Sequence, residues 1–587
     1  MDPDCLAPAE VPQTSRLYIT YLSKPAHLHG FYAHPPNLKG IREASRELKA
    51  AATRYPAEMR FGVVQILREQ NARFAGGALE SQLKRNLERL ESGAAAVVTG
   101  QQCGLFGGPA YTFYKAISAL RVAADLTRAK IEAVPIFWMA SEDHDLAEVN
   151  HVFWTASANS PGTQSRTAQS IVAQTDEPIE KVEWTEDDLT RAMNEGRSVG
   201  SVPLGKGIEA LARKAADALG GAFAAEFAGA LTAAYTSGET FGSAFAHLMS
   251  ALFARRGLIL LDPQDMRLHQ LAAPLLQRAA GQQEALTAAL LAQNKKLESA
   301  GYHAQVRVTE SSTLLFRIEG AHSADPRAED GRGLDGPGMA GQRVALKKTN
   351  SGFAAGDEHF SADELGKAIA AAPELFSPNA LLRPVVQDFL LPTVAYIGGP
   401  AEVAYFAQNS ALYKKLLRRM PAILPRPSFT IVEPEIVRLL DRYGLAPEDA
   451  LLGRQWLAKK MERRHIPGKL ALMFDVEQAN LERMLRSLRA PLAKLDPTLK
   501  GALETAARKI LYQLENLRAK AGRAADFRAG VLSRHEATVL GALFPQHGLQ
   551  ERSLSLLPFL ARHGTDFFDE LAKHSGLAPC AHRFLRL

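Results

Sequence analysis

The sequence predicts an α/β fold built on a parallel sheet, followed by a helical arm near the carboxyl end. Three observations carry this. Two short apolar runs, Ala94 to Val98 and Val134 to Met139, have the length and bounding of buried parallel strands. Between them Phe113, Ile117, Leu120 and Ala124 recur at helical spacing, which completes a βαβ unit. From about 436 to 540 the composition shifts to long charged helices with apolar residues three and four apart.

The βαβ unit organises the functional reading. Its strands run parallel, so the loops that follow them, TGQQ at 99–102 and SEDHD at 141–145, leave the sheet at the same carboxyl edge. Open α/β sheets bind ligands at that edge. The first loop continues as CGLFGGP, with Gly104, Gly107 and Gly108 ahead of Pro109, a residue suited to a first helical turn. It is neither a dinucleotide fingerprint nor a P-loop, so alone it is a weak signal, read first as an anion seat and otherwise as a strained connection with no ligand. In Glu142-Asp143-His144-Asp145 three carboxylates crowd one histidine and call for a metal, an ammonium group or a lysine. The plainer reading is a turn in which Asp143 or Asp145 caps the next helix.

The 587 residues exceed one hydrophobic core, so two or three domains are expected. We place a core at 1–435 with connecting segments inserted at about 155–250 and 303–360, an arm at 436–540, and a final segment at 541–587 that returns to the core. The composition, 46% hydrophobic and 22% charged, is that of a soluble globular protein, and no apolar run reaches a membrane span. The start, MDPDCLAPAE, lacks the basic-then-apolar pattern of a signal peptide. Cys5, Cys103 and Cys580 lie far apart without CxxC spacing, which points to a reducing cytoplasm. A net charge of +6 without a compact basic stripe does not call for nucleic acid and equally suits an acidic small molecule.

The remaining elements follow in order. IREASRELKAAATRYP and SQLKRNLERLESG read as amphipathic helices that pack on the sheet. Residues 155–180 read as an exposed loop, 206–254 as helical, and GLILLDP at 257–263 as a further strand ending at Asp262, a ribose or metal contact or else a helix cap. The Gly/Pro/Asp-rich 319–342 reads as a surface loop beside a small β insertion. From Arg383-Pro384 we expect strand, turn, strand, glycine turn and helix. Gly398-Gly399-Pro400 repeats the device of 107–109, and each copy is expected to offer backbone N–H groups to an anionic oxygen. Glu402 suits a first helical turn, and Tyr405 shares its face. Arg383, Asp388 and Tyr396 are expected to line the cleft, while Arg426, between two prolines, is a cleft residue or a loop brace. In the arm, Leu503, Ile510 and Leu517 hold heptad-like positions, and Pro491 and Asp496-Pro497 are expected to interrupt or separate its helical runs.

These residues carry a resemblance. TGQQCGLFGGPAYTFYKAISA and VPIFWMASEDHDLAEVNH resemble the cysteine-adding enzyme family of bacillithiol biosynthesis. So do GYHAQV (301–306), the stretch 377–408, LPRPSFTIVE (424–433) and LFPQHGLQERSLSLLPFL (543–560). Cys103 departs from the Pro or Ala expected there, most simply as a small tolerated side chain. The resemblance implies a Rossmann-like core similar to nucleotidyltransferases and class I aminoacyl-tRNA synthetases, with a C-terminal coiled coil used for homodimerisation. It also implies the reaction, addition of L-cysteine to glucosaminyl-malate.

Amide formation needs an activated carboxylate, hence ATP or another nucleotide, and a base near neutral pH. Thr99, Gln101, Gln102, Gly104, Gly107, Gly108 and Lys115 are expected to hold the nucleotide or acidic substrate, with Lys115 off the buried face of its helix. His144 is the expected base, and Asp143 and Asp145 bind the cysteine ammonium or a divalent ion; Asn150 and His151 are secondary candidates. No HIGH-type synthetase signature is present. Two alternatives remain at this point: a nucleotidyltransferase acting on another small acidic substrate, and a non-catalytic coiled-coil scaffold.

Overall fold

Five short runs of small and branched apolar residues build the central sheet of the structure, a computed structural model. It describes residues 4–50, 54–155, 179–319, 341–350, 352–462, 468–526 and 531–587. The elements used below are α1 (Ala57–Phe74), β1 (Ala95–Gln101), α2 (Ala110–Arg128), β2 (Ala133–Met139), β3 (Ile259–Leu261), α3 (Met266–Gly281), α4 (Arg383–Leu390), β4 (Thr393–Gly398), α5 (Pro400–Leu416), β5 (Ala422–Pro425), α6 (Gly468–Leu495) and α7 (Leu499–Asp526). All five strands are parallel, in the order β3-β2-β1-β4-β5. This is a Rossmann-like order. The chain winds outward from β1 through β2 to β3, then reappears on the other side of β1 as β4. The point of reversal lies between β1 and β4, and open α/β sheets bind ligands at such a point, beyond the carboxyl ends of the strands.

Alternation along β1 supplies both faces. Ala95 and Val97 pack with Val122 and Leu126 of α2, while Ala96 and Val98 join the larger core that holds Trp138, Tyr396 and Phe406. Full burial of Val97 and Val98 stabilises the fold by about 1.5–3 kcal/mol each as an upper estimate. Strand β3 has only three residues, and its outer edge is closed by side chains rather than by another strand. Asn71 of α1 donates to Leu260 O (2.8 Å) and accepts from Leu260 N (2.9 Å). Gln70 does the same for Asp262, at 2.9 and 3.0 Å. Two neighbouring amides thus imitate a pairing strand, and the edge offers no template for another chain.

Several expectations change. Arg383–Leu390 is a helix, not a strand: Pro384 sits in its first turn, where proline is pre-organised, and this outweighs the β-branched Val385-Val386 pair. Pro491 lies inside α6 without ending it. The turn comes instead at Asp496, whose carboxylate accepts from Thr498 N and Oγ1, both at 2.8 Å. Cys5 and Cys580, far apart in sequence, are joined in a disulfide with Cα atoms 6.2 Å apart, because strand Cys5–Leu6 pairs with strand His582–Arg586. The cytoplasmic argument from cysteine spacing therefore loses its basis. The loops expected at 155–180 and 319–342 fall, apart from their ends, outside the described residues.

By internal contacts the chain forms two units. The first takes Met1–Ser160, Lys181–Ser428 and Leu554–Arg583, and holds both the parallel sheet and an antiparallel sheet of five strands between Ser312 and Pro378. The second contains Phe429–Ser553 and Phe584–Leu587. In it α6 and α7 form an antiparallel hairpin, with Arg489–Glu504 (3.2 Å) near the turn and Arg518–Asp475 (2.7 Å) farther along. No helix among the described residues is long and apolar enough to cross a membrane.

Replacing Asn71 with Ala strands a buried N–H and a buried C=O on β3. The expected loss, read by urea denaturation, is about 2–4 kcal/mol. A loss below roughly 0.5 kcal/mol, the size of an ordinary surface substitution, would show that the edge needs no such closure.

Candidate active site at the strand switch point

The cleft is built from two helices that diverge at the switch point. Lys115 lies in the second turn of α2, which follows β1, and Glu402 in the first turn of α5, which follows β4. Their side chains form an ion pair across the gap between the two strands. Lys115 Nζ also donates to Gly100 O (2.7 Å) and Gln101 Oε1 (2.9 Å). Glu402 accepts from the Tyr396 hydroxyl (2.5 Å) and from Gly399 N (2.7 Å). Lys115 is thus buried, contrary to expectation, yet its ammonium does reach the carboxyl edge.

The charges are unequal. Burial lowers the Lys115 pKa, Glu402 opposes that, and Arg426 and Arg383 add to the lowering. Burial alone would raise Glu402, but Lys115, the Tyr396 hydroxyl and the Gly399 amide hold it below the ordinary carboxylate range. Arg383 donates to Tyr405 (3.2 Å) and Tyr396 (3.5 Å), and its guanidinium lies 6.0 Å from the Trp138 ring centre. Burial keeps both phenols protonated and pushes Tyr405 up to about 12. Arg426, buried after β5, lies over the Tyr111 ring at 5.3 Å. Three cations therefore gather about the Glu402 carboxylate, an arrangement suited to an anionic ligand.

The opposite charge lies across the glutamines. Gln102 Nε2 donates to Asp143 Oδ2 (2.8 Å) and Glu148 Oε2 (3.0 Å), which joins the loop after β1 to the loop after β2. His144 is half-exposed; its backbone N donates to Asp143 Oδ1 (2.7 Å), and its ring Nδ1 stands 3.7 Å from the same oxygen. The turn is braced from behind. Val199 N donates to Asp143 O (2.5 Å), Gly200 N to Ser141 O (2.7 Å), and Ser141 Oγ to Asp262 Oδ1 (2.5 Å). Asp262 thus supports the turn, and the helix cap is Asp265. Glu142 turns inward, 3.1 Å from His269 Nε2, while His269 Nδ1 donates to Phe376 O (3.2 Å). Burial would lower the His269 pKa, and the Glu142 carboxylate more than reverses this.

The other expected residues divide. Asp145 caps the short helix Leu146–Val149 by accepting from Glu148 N, the plainer of its two readings. Thr99 is buried within the sheet and donates to Ile397 O. Asn150 donates to Trp184 O and accepts from His151. Asp388 lies fully buried beneath α5, bonded to Tyr413 and Gln387, away from the cleft.

The glycine loop is packed inward and offers no anion seat. Gly107 N and Gly108 N donate to Gly104 O and Leu105 O, and Ala110 N donates to Leu554 O. A Cβ on Gly104 would meet Gly108 Cα at 2.7 Å, and Gly107 has φ +85°, so these glycines serve close packing and a left-handed turn. In the second Gly-Gly-Pro, the Gly399 amide is already taken by Glu402. Cys103 is fully buried, and burial pushes its thiol pKa up, which suits an inert side chain. Glu148, Arg343 and His269 were not singled out from sequence. Arg343 lies beyond the Gly/Pro/Asp-rich loop yet stands close enough to Glu142 and Asp143 to feel their charge. No local motif could have placed it there.

Comparison with known proteins agrees with this architecture. Residues 1–197 and 168–427 match a family model described as "Bacillithiol biosynthesis BshC, N-terminal Rossmann-like domain". Residues 429–586 match "Bacillithiol biosynthesis BshC, C-terminal coiled-coil domain". The chain belongs to the BshC family. A relative from Koribacter versatilis is 40% identical over all 587 residues of this chain and the full length of its own. BshC relatives from Solibacter usitatus and Chlorobaculum tepidum are 36% and 33% identical, covering 96% and 90% of this chain and 95% and 89% of theirs. Each bears the name "Putative cysteine ligase BshC".

The ion pair makes a direct prediction. Glu402→Gln leaves the Lys115 charge buried and unpaired, and Lys115→Met does the same to Glu402. Each single variant should lose about 3–5 kcal/mol of stability, and the double variant should lose clearly less than their sum. Denaturant midpoints for the four proteins measure this; strictly additive losses would mean the two charges do not interact.

Proposed function

We propose that the chain joins L-cysteine to glucosaminyl-malate by forming an amide, the last step of bacillithiol biosynthesis. The observation that carries this reading is the two-signed cleft: cations around Glu402 on one side, Asp143 and Glu148 on the other, with Gln101 and Gln102 between. The names of the relatives support the same reaction class.

In this mechanism Arg383 and Arg426 hold the malyl carboxylates, Lys115 adds charge from behind while staying bonded to Glu402, Gly100 and Gln101, and Asp143 and Glu148 take the ammonium group of cysteine. The cysteine carboxyl then lies over the glutamines, beside the glucosamine nitrogen. His144, oriented by Asp143, would remove the proton from that nitrogen as the C–N bond forms and the C–O bond to the phosphoryl group of the activated carboxyl breaks, the phosphoryl oxygen keeping the electron pair. Tyr396 and Tyr405, kept protonated, fix the Arg383 fork without adding charge. A bound nucleotide would supply the activation that a free carboxylate lacks. Among the described residues no group of three or more His, Cys, Asp or Glu is arranged to hold a metal ion.

We place this reaction in the cytoplasm and assign the arm to homodimerisation. Leu472, Val476, Leu488, Ile510 and Leu517 remain exposed on the α6–α7 hairpin, and a second copy of the same hairpin is the occupant that would cover them.

The test is thiol analysis of cells that lack the gene and carry a variant copy. His144→Asn should cut bacillithiol output, with glucosaminyl-malate accumulating, in line with a rate loss of roughly 10²–10⁴-fold in the purified protein at an unchanged melting temperature. Normal output from His144→Asn would remove the histidine from the chemistry. A gene deletion that leaves bacillithiol intact would remove the whole reading.

A further inference from the structure

Helix α5 connects two ends of the molecule. It starts at the switch point with Glu402 and runs 17 residues, about 25 Å, to the opposite edge of the sheet. Beyond its last turn lies a cavity of about 290 Å³, whose lining includes Phe31, Tyr32, Tyr413 and Met420. Lys414, Arg418 and Arg419 also line it, against one carboxylate, Glu47, among the described lining residues. Glu47 is already engaged by the buried His34, at 3.2 Å.

Two details mark this as a built site. Arg419 is 9% exposed and donates to the carbonyl of Asp388; its other N–H groups have no acceptor among the described residues. A buried guanidinium left with unspent donors beside an open volume is poised for an acceptor from outside. Arg418 occupies the left-handed position just past the helix end, with φ +57°, and its N–H closes onto Tyr413 O at 2.7 Å. Glycine is the low-strain residue at such a position, so the arginine is kept there at a backbone cost. Its side chain and that of Lys414 have no ion-pair partner among the described residues.

We propose that this cavity binds a small dianion of phosphate or dicarboxylate chemistry, at a site separate from the carboxyl-edge cleft. Three cations against one carboxylate leave an excess that a dianion neutralises, and arginine forks suit the paired oxygens of either group. The site shares its helices with the cleft. Tyr413, on its wall, donates to the Asp388 carboxylate of α4, and its hydroxyl oxygen lies 3.0 Å from Pro384 O, next to Arg383. A bound anion therefore steadies the two helices that carry Arg383 and Glu402. The proposal stands independently of the reaction assigned to the cleft.

The test is thermal melting of the full-length protein in millimolar inorganic phosphate and, separately, L-malate, for wild type, the double variant Arg418→Gly/Lys414→Ala, and Arg383→Gln. The wild type should melt at rising temperature with one or both anions, and the stronger response identifies the chemistry. Without anion the double variant should melt at or above the wild-type temperature, because glycine relieves the left-handed strain. Its apparent anion affinity should fall by roughly tenfold or more. Arg383→Gln should keep the response. No response in the wild type, or a response that the double variant keeps undiminished, overturns the proposal.

Discussion

One buried ion pair fixes the geometry on which the rest of the cleft depends. Lys115 and Glu402 come from helices that follow different strands, and each is stripped of most of its water. Such a pair adds little net stability over a well-packed apolar substitute, because desolvation offsets the attraction. Its consequence is positional. Neither charge can leave without stranding the other, so α2 and α5 are held at one separation and the Gln101 side-chain amide is pinned by its oxygen to Lys115. Tyr396 and the Gly399 amide complete the shell, which leaves Arg383 and Arg426 as positive charge beyond what Glu402 neutralises.

The acidic side depends on this frame indirectly. Gln101 is held by Lys115, and the next residue, Gln102, reaches Asp143 and Glu148. Two consecutive amides thus link a cationic region to an anionic one over a few ångströms. A cleft with separated signs can orient a reactant that bears an ammonium group beside another that bears carboxylates. Such placement is worth much of a bimolecular barrier when the reacting atoms meet in line.

The parallel sheet was legible because its strands are short, apolar and bounded by polar loops, and because a βαβ unit leaves one choice of edge. Gln102 and Asp143 could be placed together on that ground alone. The helix at 383–390 was misread because Val385-Val386 carries strand propensity, whereas the proline at its second position and tertiary packing decide the outcome. The glycine loops were overread. Glycine is required by a left-handed turn and by close approach as much as by a ligand, and the sequence alone does not separate these uses. Asp388 looked like a cleft residue from its neighbours, but eight residues of helix turn it beneath α5. Arg343 and His269 were invisible for another reason: their contacts to the 141–145 turn arise only when distant segments meet.

The central claim is that the two signs of the cleft read two different reactants. Calorimetric titration of the purified protein with glucosaminyl-malate and with L-cysteine tests it, using Arg383→Gln and Asp143→Asn. A crossed result is expected: Arg383→Gln weakens glucosaminyl-malate and spares cysteine, whereas Asp143→Asn weakens cysteine and spares glucosaminyl-malate. Both variants weakening the same ligand, or neither weakening any, would contradict it.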